Sequence, residues 1–391
     1  MPTDLTSLSA SQLSAAIKQS QISCVEVMQA YLQRIHRYNP VYNAIVSMAD
    51  DDVLIGQAAL ADQALAKGEY WGWMHGMPHA VKDLADVEGF PTSRGSPIYT
   101  GTVAGQDSFM IDRIRSQGAI FIGKTNVPEF GMGSQSYNPV FGATGSGYDP
   151  ALTAGGSSGG AACGLATHML PVADGSDLMG SLRNPGAFNN VIGYRPSQGR
   201  VPGGGGGDLF YQQMSTGGPM GRNSEDTIRL LHSIAGYDSG QPLTLRDEIP
   251  PFEEFRARDL PGLKIGWMGS YEGYLNTEPG VLELCEASLA SLTKEGAIVE
   301  TCKPQYDMDR LWQTWLTLRH WTRHGVRALY DDPESRRLLK PEAIWEIEGS
   351  FETSGADIYT AGIARADWFR ALGALFDEYD FLILPTSQVF P

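Results

Sequence analysis

Three stretches of the sequence carry residue types that could break an amide or ester bond. The run Gly155-Gly-Ser-Ser-Gly-Gly160 sets two hydroxyls among four glycines, between segments that are themselves structured. Glycine allows left-handed backbone and close approach, so such a loop can hold an unusual conformation at a site. The stretch Asp174-Gly-Ser-Asp-Leu-Met-Gly-Ser-Leu-Arg-Asn-Pro185 follows an apolar run at 170–173, read as a short strand, and leads into a short helix. Ser181 then falls near a helix start, where backbone N–H groups gather, a geometry suited to an oxyanion. Lys82 closes the apolar strand 77–81. A lysine dried by such a strand gives up its charge more readily and can act as a base.

Other motifs match known patterns in letters but not in physics. Gly118-Ala-Ile-Phe-Ile-Gly-Lys-Thr125 fits the phosphate-loop spacing. Its middle residues favour a buried strand, and Pro128 cuts off the helix that a phosphate loop needs. Gly155-x-Ser157-x-Gly159 and Gly156-x-Ser158-x-Gly160 fit a nucleophile elbow, yet no apolar strand precedes them. His320 and His324 stand four apart on a helix, but Arg319 and Arg323 beside them disfavour a cation. The tryptophans Trp312, Trp315 and Trp321 read as core more than pocket.

The elements that must position these residues alternate. Capping boxes at Ser9/Gln12 and Ser23/Glu26 start two helices, and 51–67 reads as a third. Then come a helix at 107–116, a strand at 119–122, and a loop region at 131–160, whose length suggests function. A Gly- and Ala-rich helix at 159–168 follows. Beyond Ser224 helices are expected at 224–235, 280–294, 308–329 and 363–376, with strands at 263–267, 297–301 and 381–384. This alternation argues an α/β fold, a mixed and largely parallel twisted sheet covered by helices on both faces. The five glycines within 202–208 read equally as a surface turn or a lid.

With 391 residues, 42% hydrophobic and 19% charged, the composition is globular. The net charge of −16 disfavours nucleic acid or anionic lipid as partner. No apolar run of about 18 residues suggests a membrane span. Cys24, Cys163, Cys285 and Cys302 form no C-x-x-C pair, so a reducing, cytoplasmic setting is expected.

Five ordered motifs resemble the amidase signature family. They are Met77-Pro-His-Ala-Val-Lys-Asp-Leu84, Gly123-Lys-Thr-Asn-Val-Pro-Glu-Phe130, Gly155 to Gly160, Asp177-Leu-Met-Gly-Ser-Leu-Arg-Asn-Pro185 and Gly193-Tyr-Arg-Pro-Ser-Gln-Gly-Arg200. The resemblance is dense from about residue 70 to 230. It implies a Ser–cis-Ser–Lys triad: Ser181 as nucleophile, Ser157 as the bridging serine after a cis peptide bond, and Lys82 as general base. Ser158, Asp177 and Arg183 match supporting positions. The backbone N–H groups of Leu178, Met179, Gly180 and Ser181 match the oxyanion hole. Met179 stands where members commonly carry Gly, and the backbone donor is retained there. No metal or cofactor is implied.

The resemblance implies a single domain over 1–391. Its parts are a helical portion at 1–70, a catalytic core at 71–235 and a second α/β portion at 236–391. A C-terminal truncation is expected, because the chain stops just after a strand. The expected function is hydrolysis of the C–N bond of a small amide or carbamate through an acyl-enzyme, in a chain compatible with a homodimer. The alternatives are the glutaminase subunit of a tRNA-dependent amidotransferase, and a carboxylesterase on the same triad. A catalytically dead binding protein ranks last.

Overall fold

A computed structural model describes residues 4–203, 208–211 and 213–391. The chain divides into two compact units. One comprises Met1–Glu254 with Leu338–Lys340 and Pro391; the other comprises Phe255–Arg337 with Pro341–Phe390.

In the first unit, helices α1 (Ala10–Lys18) and α2 (Cys24–Tyr42) begin at the expected capping boxes of Ser9/Gln12 and Ser23/Glu26. Val27, Met28, Tyr31, Leu32 and Ile35 of α2 are buried, as a 3.6-residue period requires. The Asn39 side chain then ties the end of α2 to strand β1 (Ile45–Val46). Its Oδ1 accepts from Ala44 and Ile45, and its Nδ2 donates to the Ile45 carbonyl. Helix α3 (Asp51–Ala66) leads to β2 (Pro78–Lys82), which is buried throughout. Helix α4 (Phe109–Ser116) precedes β3 (Ile120–Thr125). The Gly-Lys-Thr end of the phosphate-loop spacing therefore lies in a buried strand. β2 runs parallel to β3, and β1 antiparallel to it.

The loop region expected at 131–160 holds a small hairpin, β4 (Tyr137–Asn138) and β5 (Gly142–Ala143). Helix α5 (Gly159–Ala166) is buried along nearly its whole length. It packs that deeply because its residues are small. A Cβ on Gly160 would lie 2.3 Å from the Asn126 nitrogen and 2.5 Å from the Ala44 oxygen.

The apolar run 170–173 is buried, but pairing begins only at its end. Strand β6 is Ala173–Asp177. Helix α6 (Arg183–Phe188) and β7 (Ile192–Gly193) follow. The partner of β6 is β8 (Thr216–Gly221), antiparallel from Ala173↔Met220 to Asp177↔Thr216, and β7 pairs on the far side of β8. Helix α7 (Ser224–Ile234) turns its Asp226 carboxylate to the N–H groups of Ala10 and Ser11 at the start of α1.

The second unit is built on parallel strands in the order β10–β9–β11: β9 (Lys264–Trp267), β10 (Ile298–Thr301) and β11 (Phe381–Ile383). Helix α8 (Val281–Lys294) makes the crossover between β9 and β10. Helix α9 (Met308–Arg323) ends earlier than the expected 308–329, where a 3-10 turn at His324–Val326 interrupts it. Then come α10 (Arg327–Asp331), α11 (Pro333–Arg336), α12 (Pro341–Glu348) and α13 (Gly355–Phe376). The buried Glu346 of α12 binds Arg323 at 2.8 Å and also Arg319, and His320 Nδ1 bonds the Glu346 carbonyl. Among the described residues, no helix is long and apolar enough to cross a membrane.

Candidate active site

Lys82 ends β2 with its side chain almost wholly buried, 1% exposed. Its Nζ lies 2.8 Å from Ser157 Oγ and 2.8 Å from Ser158 Oγ. The Ser176 carbonyl stands at 3.2 Å and Ser176 Oγ at 3.1 Å. Burial pushes the Lys82 pKa down from 10.5 to about 7, against the pull of the Asp174 and Asp177 carboxylates. A neutral amine can serve three of these four oxygens at a time: its two N–H groups donate and its lone pair accepts from a hydroxyl. Asp83, next in sequence, turns elsewhere. Its carboxylate accepts from Ser93 Oγ at 2.6 Å and from the Ser93 and Gly95 N–H groups.

Ser157 and Ser158 sit at the mouth of α5, and the Gly156–Ser157 peptide bond is cis. The Ser158 N–H donates to the Ser181 carbonyl at 3.1 Å, which joins this loop to the turn after β6. Ser181 itself is half-buried. Its hydroxyl makes no hydrogen bond among the described residues, so the contact between Lys82 and Ser157 does not extend to it by a direct bond.

Asp177 shapes that turn. Its carboxylate accepts from the Gly180 N–H at 2.7 Å, the Leu182 N–H at 3.2 Å, both Nε and Nη2 of Arg183 at 3.0 Å, and Arg195 Nη1 at 3.0 Å. Burial opposes its ionisation, but the Arg183 hydrogen bonds and charge, the Gly180 N–H and Arg195 outweigh that and hold the carboxyl well below the usual range. Gly180 adopts φ +114°, and a Cβ there would meet the Asn184 side chain at 2.9 Å. The turn therefore requires glycine at this position. The Gly180 N–H, expected among the oxyanion donors, is committed to Asp177. The Leu178 and Ser181 N–H groups make no hydrogen bond among the described residues.

Three participants escaped the sequence reading: Ser176, which contacts Lys82; Arg195, which donates to both the backbone and the carboxylate of Asp177; and Asp174, which accepts from the Lys82 backbone N–H. The signal for two of them was present. With the strand at 173–177, alternation puts 174 and 176 on one face.

A cleft of about 750 Å³ opens on this face, lined by Lys82, Leu84, Asp174, Ser176 and Thr216 among others. Neither Ser157 nor Ser181 lines it. The glycine run 203–207, read as turn or lid, falls largely outside the described residues. Among the described residues, no cluster of His, Cys, Asp and Glu is arranged to hold a metal ion.

Comparison with known proteins gives consistent relatives. The sequence model of the family described as Amidase matches residues 26–391. The chain is 32% identical over 392 residues to an acylamidase of Rhodococcus erythropolis, covering 98% of this chain and 80% of that protein. It is 34% identical over 288 residues to a glutamyl-tRNA(Gln) amidotransferase subunit of Methylococcus capsulatus, covering 74% of this chain. The chain spans 59% of the length of that relative. Among solved structures, a bacterial aryl acylamidase of the amidase signature enzymes superposes with a TM-score of 0.90 at 28% identity, covering 98% of this chain and 80% of that one.

Proposed function

This chain belongs to the amidase family, hydrolases of carbon–nitrogen bonds other than peptide bonds, and from that premise we propose that it is a stand-alone amidase acting on a small amide or carbamate through Ser181, Ser157 and Lys82. The observation that carries the reading is the buried Lys82 amine, 2.8 Å from Ser157 Oγ, with no carboxylate among the described residues paired to its Nζ. A base in that setting is about half neutral at pH 7.

In the proposed mechanism, neutral Lys82 takes the Ser157 proton while Ser157 takes that of Ser181. The Ser181 oxygen attacks the carbonyl carbon. The resulting oxyanion is met by N–H groups of the turn 178–181, Leu178 and Ser181 foremost, since Asp177 holds the Gly180 N–H to keep the turn in shape. Pre-aimed donors of this kind are each worth about 3 kcal/mol in the transition state. The proton returns through Ser157 to the departing amine, the C–N bond breaks, and water releases the acyl group by the same route. Ser158 and Ser176 hold the amine of Lys82 in line.

The test is intact-mass spectrometry after exposure to a panel of amides and carbamates. An acyl adduct that maps to Ser181 is expected; its absence with turnover present overturns the assignment. The identity to amidotransferase subunits favours a second reading, a glutaminase working with partner subunits. Strict dependence on glutamine, or a copurifying partner, selects that reading.

A further inference from the structure

Beneath Lys82 lies a second pair of buried ionisable side chains that the mechanism above does not use. His79 of β2 and Asp174 of β6 are both wholly shielded from solvent. His79 Nε2 stands 3.0 Å from Asp174 Oδ1, and both Asp174 oxygens lie 3.3 Å from the Lys82 backbone nitrogen. The other ring nitrogen, His79 Nδ1, is buried with no hydrogen-bond partner among the described residues.

The proton placement follows from that orphaned atom. A proton on Nδ1 would be a buried donor with nothing to accept it, which is costly. The arrangement that avoids this has the proton on Nε2, donated to Asp174, with Nδ1 bare and the ring neutral. Asp174 is then an ionised carboxylate held by one imidazole N–H and one backbone N–H, and the pair carries a net negative charge beside the base. The remaining charged groups near Lys82 are accounted for. Asp177 is paired with Arg183 and Arg195, Asp83 is turned to Ser93 and Gly95, and Lys124 on β3 donates to the Ala85 carbonyl and Thr92. Of the two carboxylates whose charge acts on Lys82, Asp174 and Asp177, Asp174 is thus the one without a cationic partner among the described residues.

We propose that His79 is a positioning residue: it fixes the Asp174 carboxylate under Lys82, where that charge keeps the dried amine basic enough to take a proton at neutral pH. The proposal rests on the reading of Lys82 as base. Burial alone drives a lysine toward a permanently neutral and weakly basic amine. A fixed negative charge opposes this, and a base works best when its pKa lies near the working pH.

The experiment follows the Lys82 titration directly by ¹³Cε NMR in the wild type and in Asp174→Asn, His79→Leu and His79→Gln. Asp174→Asn removes the charge. His79→Leu strips the carboxylate of its side-chain donor and so releases it from its place under Lys82. Both are expected to lower the Lys82 midpoint by about one pH unit. His79→Gln keeps a donor and is expected to restore the wild-type midpoint. An unchanged midpoint in Asp174→Asn, or equal shifts in His79→Leu and His79→Gln, overturns the proposal. If a variant fails to fold, ¹⁵N shifts of the wild-type imidazole decide: a neutral ring protonated at Nε2 is expected at pH 7, and an imidazolium or an Nδ1-protonated ring refutes it. The acid limb of kcat/KM separates the two readings. Midpoints that move while the limb stays fixed would leave the dyad standing and remove Lys82 as the base.

Discussion

Lowering the pH should switch the enzyme off through one group, and the structure sets where. Lys82 has its pKa pushed down to about 7 by burial. The neutral fraction is then about one half at pH 7, about 9% at pH 6 and about 1% at pH 5. An exposed lysine at its ordinary value would be only about 0.03% neutral at pH 7, so burial raises the supply of base on the order of a thousandfold. The expected profile of kcat/KM is flat on the alkaline side, with an acid limb of unit slope centred near 7. In the proposed mechanism, Lys82→Ala removes both the base and the route by which a proton returns to the leaving group. Such proton transfers contribute about 10²–10⁴ in rate, and an amine depends on them far more than an alkoxide does. A matched amide and ester should therefore diverge: a loss of that size for the amide and a clearly smaller one for the ester. The assay is kcat/KM for both substrates, wild type and variant, from pH 5 to 9. Equal losses would show that Lys82 does not serve the leaving group, and a profile that rises toward acid would show that it is not the base.

Three further outcomes are expected. Ser181→Ala should lower kcat by at least about 10³-fold with the far-UV circular dichroism unchanged; retention of most turnover would mean that another hydroxyl attacks. Gly180→Ala places a side chain at φ +114° against Asn184, so it should cost about 1–3 kcal/mol of stability and reduce kcat more than it raises KM, which urea unfolding and steady-state kinetics would read; wild-type kcat would show that the turn is tolerant. Asp177→Asn breaks a buried carboxylate away from two partly exposed arginines, an expected loss of about 2–4 kcal/mol. Because the folded-state pKa of Asp177 is depressed, that contribution is fully present above its unfolded value near 4, shrinks as pH falls below it, and is gone only once pH has fallen through the depressed folded value. The gap in Tm between variant and wild type should accordingly narrow steadily as pH falls from about 5 toward 2, and a gap that does not narrow over that range would show that the ion pairs are not its source.

Much of the scaffold was legible because its signals are local. Ser9/Gln12 and Ser23/Glu26 begin α1 and α2 where the capping boxes stand, since those hydrogen bonds lie within one turn of chain. Strand β3 was legible for a different reason: its apolar residues outvoted a phosphate-loop spelling. What failed was the strand that carries the site. Ala-Asp-Gly-Ser-Asp of β6 and Thr-Gly-Gly-Pro-Met-Gly of β8 contain almost no residue with strand propensity. They are strands because they pair with each other, far apart in sequence as at Ala173↔Met220, and a nonlocal pairing leaves no local trace. The apolar run at 170–173 drew the reading toward itself, although pairing starts only at its last residue. The break in α9 at His324–Val326 was equally invisible, with only Gly325 to mark it.

The same displacement explains what was missed in the site. The sequence grouped Lys82, Ser157, Ser158 and Ser181 by resemblance, and the structure brings the first three into contact at 2.8 Å and joins Ser158 to Ser181 through the backbone. It does not supply the electrostatic frame by the same logic. Moving the strand start from 170 to 173 turns Asp174 and Ser176 from loop residues into neighbours of Lys82 on one sheet face, with Asp177 on the other face to hold the turn. The division of labour is physical. One carboxylate on that short strand is tied to two arginines and serves shape; the other lacks a cationic partner and acts on the amine above it. A buried lysine that must be neutral yet basic needs both dryness and a nearby negative charge, and β6 brings the two together within a single short strand.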